Sequence, residues 1–358
     1  MYKNKLYSIL THFDKIEQNR LRKYLISPYF NRNETLVALF DLLIVHINKQ
    51  KERELDKMEV WKHLFQDSAY DDVRYRKLFS DLLKLVEGFL AHQVYDENPI
   101  HMATYLIEAV GRKKMERLYN STMKTARRLS KQQFFKPANY YFYQYQIERN
   151  FYEAAQLELD RSSKTNIEDI MNNLDYFFLA EKLKYYCSIL SRQNVVSFKY
   201  ELLFLEEILS HINKHNYENV PPIAIYYQIY LTQTDDNNTD HYFKLKDLLE
   251  KHSREFPINE AERIYTYAIN YCISKINKGK QLFLKEFLEL NEAILEKGIL
   301  ADGQLSPWRF QNIVVVALRL GNFNWTEEFI NKYQHKLSEA FRENAVTYNT
   351  ARLYWYQK

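Results

Sequence analysis

Nine basic residues crowd into the stretch from Arg112 to Lys136. Arg112, Lys113, Lys114, Arg117, Lys124, Arg127, Arg128, Lys131 and Lys136 stand there against one acid, Glu116. The chain carries +4 overall and this stretch +8, so the remainder carries -4 and the basicity is local. At 100° per residue, Lys113, Arg117, Lys124, Arg127, Arg128 and Lys131 share one face of a helix. Met115, Leu118, Thr122, Ala126 and Leu129 fall opposite, so the spacing predicts one amphipathic helix with a basic exterior. Such a face suits an anionic partner: nucleic acid, an acidic peptide or a lipid surface. The plainer reading is a solvated face followed by an aromatic core. Phe134, Phe135, Tyr140, Tyr141, Phe142, Tyr143 and Tyr145 come directly after it.

A second constellation is Glu207, His211 and His215, spaced i, i+4 and i+8. Two histidines one turn apart can chelate a metal. They also suit the negative end of a helix dipole without one, which is the expectation for this helix end. No metal and no cofactor are expected. Cys187 and Cys272 sit singly in apolar patterns and read as buried, reduced thiols. The sequence contains no GxGxxG, GxxxxGK[ST], CxxC or GxSxG pattern. The expectation is a protein that is not an enzyme.

The elements that carry these residues read as helices. The 358 residues include only 6 Gly, and none precedes Gly88, whereas tight β-hairpins need many. Pro99, Pro137, Pro222, Pro257 and Pro307 each stand at or just before an amphipathic run, where a missing N–H costs nothing. Leu36–Ile47 is the longest apolar stretch, and Asp41 and His46 interrupt it. A membrane-spanning helix needs about 20 apolar residues. The first residues lack an uninterrupted apolar core and a cleavage site, so a cytoplasmic location is expected.

Along the chain, short helices are expected over residues 1–97, with Asn33 as an N-cap. Asp71 and Asp72 open a long helix that is expected to bury Tyr75, Leu78, Phe79, Leu82, Leu85, Val86, Phe89 and Leu90. Asn98-Pro99 marks the boundary with a second region, 98–358. There the spacing predicts helices from Pro137 to Leu159, from Asn166 to Ser191 and from Phe198 to Ile212. From Pro221 they come in pairs: Ile223–Leu231 with Tyr242–His252, Ile258–Ile276 with Leu282–Leu295, Pro307–Leu320 with Trp325–Ala340.

This succession resembles the tetratricopeptide (TPR) repeat family. Its best local match is Ala317-x-x-Leu320-Gly321 followed by Leu337 and Ala340. Leu320, Gly321 and Ala340 fit, while Ala317, Asn324, Tyr333 and Leu337 depart from the family's Trp, Tyr, Ala and Phe. Ala317 recurs as Ala351 at the family's period of 34 residues. The resemblance implies an all-α, antiparallel helix-hairpin stack, a TPR-like α-solenoid with an N-terminal helical module. It also implies a groove for peptides or partner helices. Thr347–Tyr356 reads as the first helix of a further hairpin, so the chain is expected to end inside a repeat. Leu55-x5-Trp61-x3-Phe65, followed by Val73–Leu90, is similar to part of the winged helix of certain bacterial activators. Ala91–Asn98 then runs on to Pro99 with no strands for a wing.

Two functions follow from these readings. The first is a non-enzymatic protein-interaction scaffold that uses a helical-repeat groove to hold a protein or peptide. The alternative is a nucleic-acid-associated or transcription-regulatory protein that binds through Lys113, Arg117, Lys124, Arg127, Arg128 and Lys131.

Overall fold

Helix-forming residues dominate the periodic segments, and the computed structural model is accordingly all-α. It describes residues 4–49, 55–66, 68–155, 165–193, 198 and 200–358, and among these there is no strand. The chain divides into two compact units, Met1–Tyr105 and Leu106–Lys358. The division falls inside a helix, α6 (Pro99–Arg112), rather than at the Asn98-Pro99 turn. That turn opens a helix whose first two turns belong to the N-terminal unit.

The N-terminal unit contains α1 (Lys5–Leu10), α2 (Lys15–Ile26), α3 (Glu34–Asn48), α4 (Lys57–Phe65) and α5 (Asp72–Asp96). Asn33 and Asp71 cap α3 and α5 by accepting from first-turn N–H groups. α1, α2, α4 and α5 all pack on α3, and Leu39, Phe40, Leu43, Trp61, Leu82 and Val86 fill the space between them. Trp61 donates to the Ser68 carbonyl at 2.8 Å, so its one polar atom is satisfied at the edge of the core.

The larger unit continues with α7 (Glu116–Gln132), α8 (Ala138–Ala155), α9 (Ile167–Gln193), α10 (Leu205–Lys214) and α11 (Pro221–Thr234). Then come α12 (Asp240–His252), α13 (Ile258–Asn277), α14 (Leu282–Glu296), α15 (Pro307–Arg319), α16 (Phe323–Tyr333) and α17 (Glu339–Gln357). α11 packs on α12, α13 on α14 and α15 on α16; α13 also meets α11 and α12, and α17 meets α15 and α16. One continuous apolar core runs from Ala138 to Leu353. Arg309 reaches from α15 to Glu262 on α13 at 3.1 Å and to Asn291 on α14 at 3.0 Å.

Several expectations are corrected. The helix expected from Phe198 begins at Leu205, because Phe204 takes a left-handed backbone (φ 64°) that ends the preceding non-helical stretch. The part of the expected Pro137–Leu159 helix beyond Ala155 lies outside the described residues. The helix expected to reach Ala340 stops at Tyr333. Gln334–Lys336 is a 3-10 turn, and Ala340 belongs to α17. Ala317 is buried in α15, and Ala351, 34 residues on, is exposed on α17. Gly321 (φ 75°) is a helix C-cap: Asn322 N–H bonds the Ala317 carbonyl and Gly321 N–H that of Leu318. Gly279 and Gly298 close α13 and α14 in the same way. At the end of α17, Tyr354 and Trp355 are exposed.

Candidate interaction faces on α7 and α9

The basic stretch is not one helix. α6 ends at Arg112, where Met115 N–H bonds the Val110 carbonyl and Lys114 N–H that of Gly111, with Lys114 left-handed (φ 52°). This is the six-to-one and five-to-two closure of a helix C-terminus, with lysine in the place glycine usually takes. Lys113 therefore lies in the turn between α6 and α7, off the face predicted for it. Helical periodicity could not detect this stop, because Lys114 is an unusual residue for it.

The remaining cations separate into two kinds. Arg127 is held: its guanidinium meets Glu148 on α8 at 2.9 and 3.3 Å and lies 4.5 Å over the Phe151 ring. Glu148 also accepts from Asn166 at 2.7 Å, so Arg127 completes a link between α7 and α8. Arg117, Lys124, Arg128 and Lys131 are exposed, and none of them pairs with a carboxylate among the described residues. Arg128 bonds only the amide of Gln132, at 3.1 Å. These four fall within about 60° of one another on α7. Thr122, Met123 and Ala126 are buried behind them. Tyr119 donates to the Asn150 carbonyl at 2.9 Å, and burial pushes its hydroxyl up to about 12. The aromatic run after α7 divides as well. Tyr141 is core, whereas Phe134 and Phe135 are exposed and edge-packed with ring centres 5.5 Å apart.

The other face was hidden within what reads in sequence as core. α9 buries Leu179, Ala180, Leu183, Tyr186 and Cys187 against α8 and α11. Its outward side is also apolar: Met171 (51% exposed), Leu174, Phe178 (44%) and Tyr185 (59%) follow at helical spacing. Beside this stripe stands Phe204, 61% exposed and left-handed. A bulky side chain in that backbone region carries strain. The Lys182 ammonium lies within cation–π range of Phe178 (6.0 Å), Tyr186 (5.3 Å) and Phe204 (5.7 Å), which brings the exposed rings of Phe178 and Phe204 together beside the buried Tyr186. Neighbouring Lys184 is engaged by Glu181 and Glu260 at 3.1 and 3.5 Å. Lys182 has no carboxylate partner among the described residues. The signal available in sequence was the breadth of the apolar pattern on α9, wider than one buried face requires.

The remaining candidates are simpler. His211 meets the Tyr217 hydroxyl at 2.6 Å and lies 4.4 Å from His215 ring to ring, so its polar partner is Tyr217 rather than Glu207. Among the described residues no group of three His, Cys, Asp or Glu side chains is arranged to hold a metal. Cys187 and Cys272 are fully buried, and burial raises both thiols, Cys272 to about 12. The hollow lined by Gly321, Asn322, Phe323, Asn324 and Trp325 offers no titratable group. Among the described residues no helix is long and apolar enough to cross a membrane. No family model, curated protein or solved structure matches the chain.

Proposed function

We propose that this chain is a non-enzymatic protein-interaction scaffold, and that α9 with Phe204 is its principal docking face. The observation that carries this reading is the outward stripe Met171, Leu174, Phe178 and Tyr185 on a helix whose opposite side is already core. Covering that stripe removes apolar surface from water at roughly 25 cal/mol per Å². Aromatic side chains are the commonest anchors of such interfaces. The partner is a protein segment that places apolar side chains on the stripe and a carboxylate opposite Lys182, a cation with no carboxylate partner among the described residues.

Capture from the native cell tests this. The tagged chain should retain a discrete protein that the Leu174→Asp/Phe178→Asp variant loses, with both forms equally helical. Retention of the same protein by both forms would remove α9 from the account.

A further inference from the structure

The exposed cations of α7 have a regularity that the α9 face does not explain. Arg117, Lys124, Arg128 and Lys131 lie along 15 residues of one helix, about 21 Å from first to last at 1.5 Å per residue. Four other cations of this region are committed elsewhere: Arg112 to Glu108, Arg127 to Glu148, Arg149 to Glu153 and Lys136 to Glu255. What remains is a line of one sign with no internal acid. Like charges aligned in this way raise the free energy of the isolated chain and are relieved by a polyanion.

The flanking structure narrows the anion. Membrane-surface helices insert their apolar side, but here most of that side is taken up within the fold: Thr122, Met123 and Ala126 are buried and α7 packs on α8, which leaves Leu118 as its one exposed apolar side chain. An acidic protein would need no aromatic surface beside the cations. Yet at the C-terminal end of the line Phe134 (64% exposed) and Phe135 are turned out to solvent. They are held by an anchored strand of chain: Lys136 donates its backbone N–H to the Glu255 carbonyl at 2.7 Å. A row of cations ending in exposed rings fits a flexible phosphodiester chain whose bases are free to stack. We infer that the α7 face, with Phe134 and Phe135, binds single-stranded nucleic acid through its sugar-phosphate backbone. Arg117, Lys124, Arg128 and Lys131 contact phosphates and the two phenylalanines receive bases. No base-edge readout is involved, so binding is indifferent to sequence.

The test is a fluorescence-anisotropy titration of the full chain with labelled mixed-sequence single-stranded DNA and RNA oligonucleotides over a salt series. Each phosphate contact on a single strand contributes a slope of about -0.7 in log affinity against log salt, so four contacts give about -2.8. Lys124→Glu/Arg128→Glu should weaken binding at least tenfold and flatten the slope to about -1.4 or less. Phe134→Ala/Phe135→Ala should weaken it with the slope unchanged. Lys23→Glu/Lys77→Glu, an equal charge change in the N-terminal unit, should leave both unchanged. Lys124→Ala/Arg128→Ala, checked by circular dichroism, separates lost contact from any effect of reversed charge. The inference fails if the α7 variants bind as the parent does. It fails equally if polyglutamate or anionic vesicles bind as tightly as the oligonucleotides and compete with them.

Discussion

Arg127 and Glu148 join α7 to α8 at 2.9 Å, and Glu148 is the more buried of the two. This pair separates a structural cation from its exposed neighbours, although all of them look alike in the sequence. Arg127→Ala should cost about 1–2 kcal/mol, because a charge-assisted hydrogen bond is lost and a largely buried carboxylate loses its cation. Lys124→Ala, one turn away, should change stability by less than about 0.5 kcal/mol. Thermal or denaturant unfolding of the two variants checks this, and equal losses would contradict the division.

Phe204 offers a test in which stability and binding move in opposite directions. Its left-handed backbone costs a bulky residue roughly 1–2 kcal/mol, a cost that glycine does not carry. Phe204→Gly should therefore stabilise the chain, by about 1 kcal/mol, while removing the ring beside Lys182. Phe204→Ala removes the same ring and keeps the strain. If Phe204→Gly lowers the unfolding midpoint below that of Phe204→Ala, the backbone is not strained there.

Asp236 links the α11–α12 loop to α13. Lys278 and Lys275 hold its carboxyl below the usual value of 3.8, the hydrogen bond from Lys278 contributing most. Lys275 is nearly buried and meets Asp236 at 3.0 Å. A carboxylate whose folded value is depressed binds protons more readily when unfolded. Its contribution is complete above the unfolded value and is lost as the pH falls through the folded one. The difference in stability between the parent and Asp236→Asn should therefore be full at pH 7 and shrink only below about pH 4. At pH 7 it should be about 1–3 kcal/mol, since Lys275 is left without its carboxylate. A difference that persists unchanged at pH 2 would show that the charge is not what matters.

The helices were legible because their signals are local. Asn33 and Asp71 cap helices where their side chains predicted, and Pro99 and Pro307 open them. What escaped detection depends on backbone conformation at single residues or on tertiary packing. Lys114 and Phe204 adopt left-handed geometry without being glycine, so the break before α7 and the late start of α10 left no trace in composition. The apolar residues of α9 were equally visible, but which of them face the core depends on where α8 and α11 lie. Of the six cations proposed from sequence, four share an exposed face, Arg127 is held by Glu148 and Lys113 sits in a turn.

α9 and Phe204 are proposed as a docking face for a protein. A photoreactive amino acid placed at position 178, at position 204 or at the exposed polar position Thr266 on α13 tests it most directly, by irradiation in the native cell followed by nuclease treatment and denaturing gel analysis. One discrete, nuclease-resistant protein adduct is expected, shared by positions 178 and 204 and absent from position 266. The same adducts at all three positions, or none at 178 and 204, would contradict it.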